Sequence, residues 1–325
     1  MTRPRRVVSV SLGSSRRDHR AVLTLDGVEV EVARRGVDGD VDAAARLIAE
    51  LDGQVDAIGL GGLDVHLWIG DDHYVVRDGL RLLGAAQATP VVDGSLLKRV
   101  LEPMAVRWLA AHGPVELAGL PVLMVSALDR FGMAEALTEA GCRVVYGDLM
   151  FLTGIPYPIT SLPELRKMAR RLAGEMTRLP IRLLYPTGTD QERPPEARHP
   201  EAYAAAGLVA GDFHLIRRFL PPRLDRKAVL TNTTTGEDRA DLAARGARWL
   251  FTTTPLLDGR SFGTNVLEAA LVAVLGRRPE DLGPEDIEGL LRSIGYRPAV
   301  VDLPAGPPPA GRAAPGPMPG DGGRP

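Results

Sequence analysis

Residues 122–148 read VLMVSALDRFGMAEALTEAGCRVVYGD, and the fold is decided there. Val122 to Val125 is an unbroken apolar run, as a strand buried on both faces requires. Phe131, Ala134, Leu137 and Ala140 then recur every three residues, one apolar face near the helical period. Gly141 stands where a helix ends on a left-handed residue. A second apolar run, Val144 to Tyr146, closes in Gly147-Asp148. The spacing predicts a βαβ unit of the dinucleotide-binding type. In the full fingerprint of that unit, glycines serve the tight turn, the approach of backbone to pyrophosphate and the helix packing. Here Ser126 and Leu128 stand at the first two positions and Gly132 at the third. Asp148 follows about 20 residues on, where an acid can hold a ribose diol.

Working outward, residues 7–12, 21–25 and 28–33 alternate as strands, the last two joined by the hairpin dipeptide Asp26-Gly27. Asp40 caps a helix to Leu51, and residues 55–60 form a buried strand ending in Gly61-Gly62-Leu63-Asp64. A second hairpin is expected around Gly70 to Asp72, with helices over 79–88 and 95–111. Beyond the central unit come a helix capped by Ser161, a strand at Ile181 to Tyr185, a polar loop over 191–200, strands ending at Asp212, Asn232 and Thr252, an amphipathic helix over 264–275 and a last helix over 284–294. Strands alternating with helices at this spacing give a parallel sheet covered on both faces. The expectation is an α/β protein of two domains: a mixed-sheet α/β domain over 1–113 and a Rossmann-like parallel-sheet domain over 114–302. The Pro/Gly-rich tail, 303–325, is expected to be disordered.

Composition narrows the function. With 325 residues, 45% of them hydrophobic, the chain can bury a large core. A net charge of −2 gives no bulk attraction to nucleic acid or to an anionic membrane. The single cysteine, Cys142, excludes a disulfide framework and a thiolate metal site. No signal peptide and no membrane-length apolar run is evident, so a cytoplasmic protein is expected. Metal-site, Walker and serine-elbow motifs are absent, which removes metal hydrolysis and simple phosphoryl transfer. Basic charge is carried by arginine almost throughout. The only lysines are Lys98, Lys167 and Lys227, so each is more informative than usual.

Ligands of open parallel sheets bind beyond the carboxyl ends of the strands. Those ends collect Asp64, Asp93, Ser126, Asp129, Asp148, Thr187, Asp212, His214, Asn232 and Thr252 to Thr254, a set of acids, hydroxyls and one imidazole suited to a polyhydroxylated ligand or a ribose. Each has a structural alternative. Asp148 and Asp212 can cap the segments that follow them, Asp93-Gly94-Ser95 can be a turn and cap, His214 can be a core histidine, and Lys98 can lie on a solvated face.

The stretches SVSLGSSRRD (9–18), DAIGLGGLD (56–64), VSALDRFGMAEAL (125–137), VVYGDL (144–149), LLYPTG (183–188), VAGDFH (209–214) and TTTPLLDGRSFGTNVLEA (252–269) together resemble a bacterial family labelled quinate 5-dehydrogenase. The resemblance implies a Rossmann-type, NAD(P)-dependent oxidoreductase that oxidises a CH–OH group of a polyhydroxylated cyclic acid such as quinate. Well-understood quinate and shikimate dehydrogenases hold the ring hydroxyls with a lysine and an aspartate; the nearest here by position are Lys98 and Asp93. On this reading Lys98 or His214 is the general base. Ser126, Asp129 and Gly132 lie by the pyrophosphate, Asp148 holds the ribose and favours NAD over NADP, and Asp212 and Asn232 complete the cofactor side. A nucleotide-sugar transferase using Asp212, Asn232 and the threonine run, and a non-catalytic nucleotide or metabolite sensor, are the alternatives. The expected partner is a small molecule, with a homo-oligomer compatible and neither nucleic acid nor membrane engaged.

Overall fold

The computed structural model describes residues 3–178, 196–257 and 260–304. The strand expected at Ile181 to Tyr185, Thr187, the first half of the polar loop after it (191–195) and the tail beyond residue 304 lie outside them. The chain is an α/β protein of two domains, each built on its own sheet. The first sheet has the order β2-β3-β1-β4-β7, from β1 (Arg5–Ser11), β2 (Arg20–Leu25), β3 (Val28–Gly36), β4 (Ala57–Gly61) and β7 (Val91–Val92). It is mixed: β2 runs antiparallel to β3, while β3, β1, β4 and β7 are mutually parallel. The β2–β3 turn works because Asp26 and Gly27 both take positive φ, 49° and 75°, the condition of the tight hairpin. A separate hairpin pairs β5 (His66–Ile69) with β6 (Asp72–Val75).

The second sheet has the order β15-β12-β11-β10-β8-β9, from β8 (Pro121–Met124), β9 (Arg143–Tyr146), β10 (Leu208–Ala210), β11 (Ala228–Thr231), β12 (Trp249–Thr252) and β15 (Ala299–Asp302). The first five are parallel and β15 closes the edge antiparallel to β12. Sequence periodicity missed β15, because its four residues carry the half-exposed pattern of an edge. Two short strands, β13 (Leu256–Leu257) and β14 (Arg260–Ser261), pair locally.

Helices cover both faces of each sheet. On the first, α1 (Val41–Leu51) and α2 (Arg77–Leu83) bury Ala44, Ile48 and Leu82 against Val8, Val10, Ile58 and Leu60. Its other face, Val7, Leu23, Val30 and Val32, is covered by α3 (Ser95–His112) and by two helices from the far end of the sequence, α9 (Thr264–Leu275) and α10 (Pro284–Ser293). The second sheet packs α4 (Phe131–Glu139) and α5 (Leu162–Met176) on one face. On its other face lie α6 (Pro200–Ala205), α7 (Phe213–Phe219) and α8 (Gly236–Ala244). Helix α3 serves both domains: Leu97, Val100 and Leu101 enter the first core, and Val106 and Leu109 enter the second.

Helix α9 departs from its expected amphipathic character. Residues 266 to 273 are all buried, as befits a helix that is apolar all round. Its N-terminus is packed on glycines. A Cβ on Gly59 would stand 2.5 Å from the Asn265 carbonyl oxygen, and one on Gly94 would stand 2.6 Å from the Asn265 nitrogen. Asn265 then reaches Ser9 Oγ at 2.8 Å.

These contacts predict opposite effects at two glycines. Gly59→Ala forces backbone against backbone and should destabilise by about 1–3 kcal/mol. Gly289→Ala, on the exposed side of α10 with nothing within 4 Å, should stabilise by roughly 0.5–1 kcal/mol. Urea unfolding measures both, and a neutral Gly59→Ala would show that α9 does not bear on β4.

Candidate functional site

The carboxyl ends of the two sheets meet around the first half of α3, and the charged residues found there are buried. Lys98 is 9% exposed, and its Nζ lies 2.6 Å from each oxygen of Asp64, itself 9% exposed, just beyond the end of β4. One turn further along α3, Glu102 accepts from Arg130 Nη1. Arg130 is 2% exposed. Its Nη2 donates to Asp212 at 2.8 Å, and Asp212 also accepts from Asn232 Nδ2 at 3.0 Å. A line of alternating charge thus runs from the first sheet, through α3, to the second.

Burial and partner charges compete along this line. It pushes Asp64 above the ordinary carboxylate range against the pull of Lys98. Burial also works against the Lys98 ammonium, but Asp64 together with Asp129 and Glu102 outweighs it and holds the lysine charged. At Asp212 burial is overcome by Arg130 and the neighbouring His214, and the carboxyl sits well below its usual range. Such pairs persist because each buried charge has a partner in hydrogen-bond contact.

A cavity of about 220 Å³ opens beside the line. Lys98, Asp64, Glu102, Asp129, Arg130 and Arg166 are among its walls. Two of these walls carry unanswered donors: Arg130 Nε and Arg166 Nε are buried without a hydrogen-bond partner. A second cavity of about 520 Å³ adjoins it. The partition includes Trp68, over which Arg99 sits at 3.9 Å and on which His73 stacks at 4.1 Å.

Of the residues singled out from sequence, Asp64, Lys98, Asp129 and Gly132 line the smaller cavity. Asp93 does not pair with Lys98. Its Oδ1 accepts from the Ser95 backbone and hydroxyl, and its Oδ2 from Val65 N and His66 N, so it fixes the start of α3 and the chain after β4. His214 lies in α7, where its backbone N–H donates to the capping Asp212; burial lowers the pKa of its ring. Asn232 braces Asp212 and accepts from Phe213 N. Ser126 donates to Asp129 at 2.7 Å. Gly132 stands against α3, where a Cβ would meet Pro103 at 3.4 Å.

Asp148 shows how the βαβ turn is used. Its carboxylate accepts from Ala127 N at 3.0 Å and Leu128 N at 3.0 Å, and the residue is 2% exposed. Burial pushes this carboxyl up to about 6 against those N–H groups. Backbone N–H groups that would meet a pyrophosphate are therefore held by the protein's own carboxylate. Leu128, 6% exposed, fills the place of the second glycine. As arranged, the turn does not fit a dinucleotide, and 220 Å³ falls below the roughly 300–1,000 Å³ of drug-sized ligand sites.

Sequence reading passed over Arg130, Glu102, Arg166 and Glu268. The available signal was the spacing of Lys98 and Glu102, four apart and hence on one helix face. Glu268, from α9, accepts from Leu97 N at 2.7 Å; burial and then the nearby Asp93 push it up to about 8. Among the described residues no three His, Cys, Asp or Glu side chains gather as a metal site. None of the described helices is long and apolar enough to cross a membrane.

Two measurements follow. The unfolded chain releases the Glu268 proton near 4.5 and the folded chain near 8. Stability from this group is whole below the lower value and is lost as pH rises through the upper one. Glu268→Gln should flatten the decline of unfolding free energy between about pH 5 and 8; equal slopes in the two proteins would remove the effect. Separately, NAD and NADP in large excess should leave the melting temperature unchanged. A clear upward shift, of the kind a saturating ligand produces, and its loss in Asp148→Asn would restore the ribose role to Asp148.

Comparison with known proteins adds the following. No curated protein matches the chain. Among solved structures, hetero-hexameric glutamate dehydrogenase from Thermus thermophilus is 16% identical, over 90% of this chain and 74% of that one, with a TM-score of 0.42. L-tryptophan dehydrogenase from Nostoc punctiforme is 12% identical, over 90% and 80%, at 0.35. A glucose-galactose binding protein from Geobacillus stearothermophilus is 9% identical, over 93% and 98%, at 0.36. The likenesses thus divide between dehydrogenases and sugar-binding proteins. Residues 6–93 match the family described as domain of unknown function (DUF8753). Residues 96–303, more than half of the chain, match a second family model, and the chain belongs to that family, described as domain of unknown function (DUF8754).

Proposed function

We propose that the crevice binds a small, polyhydroxylated ring compound and that Lys98 and Asp64 move a proton at one of its hydroxyls. The observation that carries this reading is the buried Lys98–Asp64 pair, with both Asp64 oxygens 2.6 Å from Nζ, on the wall of a cavity of single-ring size. An ammonium held against a carboxylate out of water is a proton donor and acceptor whose balance shifts when a hydroxyl enters. This is the acid–base half of an oxidoreductase acting on CH–OH, the class that the resemblance implies, with quinate as its named substrate. The hydride half is not supported at the βαβ turn, where Asp148 takes the N–H groups of Ala127 and Leu128. That same observation favours a second reading, a metabolite-binding protein without catalysis. The domains divide on either reading near residue 113, with the site between them.

Calorimetric titration with cyclitols, sugars and ring hydroxy acids, repeated in buffers of different ionisation enthalpy, tests the proposal. Binding of at least one compound should be accompanied by proton exchange with the buffer. The double variant Lys98→Met, Asp64→Leu removes the pair without leaving a lone buried charge and should abolish that exchange. Binding without proton exchange, unchanged in the variant, would favour the passive reading; no binding by any compound would end the proposal.

A further inference from the structure

The smaller cavity also states the charge of its ligand. Resting on the reading that this crevice takes a polyhydroxylated ring, we infer that the ring is neutral: a sugar or cyclitol, with no carboxylate or phosphate inside the cavity.

The walls supply acids at Asp64, Asp71, Glu102, Asp129 and Glu135 against cations at Lys98, Arg99, Arg130 and Arg166. Most of the cations are already committed. Lys98 bonds Asp64, Arg130 bonds Glu102 and Asp212, and Arg166 bonds Glu135 at 2.6 Å, while Arg99 lies over Trp68. An incoming anion finds no surplus of positive charge, and the ionised carboxylates along the wall repel it.

The hydrogen-bonding capacity left over has the character of a hydroxyl. Arg130 Nε has no partner, and Asp129 Oδ2 lies 3.7 Å from it, beyond direct hydrogen-bond reach. A hydroxyl at this spot accepts from the arginine and donates to the aspartate at once. A carboxylate oxygen can only accept, and would face Asp129 as a like charge. Arg166 Nε, also without a partner, offers a second place for an acceptor. Trp68 and Phe131 also line the cavity, but Arg99 and His73 already cover the Trp68 ring, so the recognition rests on the polar groups. The volume, about seven waters at roughly 30 Å³ each, suits one ring and little more.

The test is a set of matched pairs titrated into the intact protein: hexoses against the corresponding aldonic and uronic acids, and neutral cyclitols against quinate and shikimate. The neutral member of at least one pair should bind at least tenfold more tightly than its acid. Asp129→Asn, which removes one repelling carboxylate, should narrow that ratio severalfold by strengthening the acid. Acids that bind as well as or better than their neutral partners would overturn the inference and leave the reading of a polyhydroxylated ligand standing. If neither member of any pair binds, that reading fails and the inference with it.

Discussion

Arg130 is the group around which the rest is arranged. A guanidinium keeps its charge at any ordinary pH, so taking it out of water is tolerable only with fixed anions around it. Glu102 from α3, Asp212 from the end of β10 and the adjacent Asp129 supply them. Two of these partners come from different layers, so the requirement of one side chain fastens α3 to the second sheet. Lys98 and Asp64 then fasten the same helix to the first sheet. Polar contacts of this kind add less to stability than to specificity of arrangement. The apolar residues of α3 bury surface against both sheets, and the ionic line sets the helix at one register between them.

That register explains the local irregularities of α3. Pro103 lies inside the helix and removes the backbone donor that would have satisfied the Arg99 carbonyl. Gly132 of α4 approaches this point, 3.4 Å from the proline ring and 3.9 Å from that carbonyl by its absent Cβ. The third glycine of the βαβ pattern is thus used for packing helix on helix. Its two absent partners are explained by Asp148, since a turn whose N–H groups serve an internal carboxylate has no need to let a phosphate near.

Much of this fold was legible in the sequence. The βαβ unit at 122–148, the Asp26-Gly27 hairpin and the mixed first sheet followed from period and turn chemistry, which are local. Edge strand β15 and helix α7 escaped because each is short and shaped by neighbours. The return of α9 to the first sheet escaped because an all-apolar helix does not say which sheet it covers. At the site, strand ends pointed to the right region, with Lys98, Asp64 and Asp129 among them. What could not be read was the pairing. Asp93 and Asp64 are equally acidic in sequence, and only the backbone N–H groups of Val65 and His66 decide that Asp93 is consumed structurally. Arg130, one arginine among many, gains its meaning only from burial.

The return of α9 and α10 to the first sheet bears on how the chain is made. That sheet's strands are complete by residue 92, and α3 follows at once, yet α9 and α10, which complete the cover of Val7, Leu23 and Val30, end only at residue 293. Synthesis adds about 5–20 residues per second, so one apolar face waits some 10–40 seconds for the rest of its cover. The first domain is therefore a late folder despite being first translated, with its open face a natural client surface for chaperones. Cutting the chain between the sheets would strip α9 and α10 from that face in the N-terminal fragment, and the two family matches that meet near residue 95 mark a boundary in sequence that is no boundary in folding.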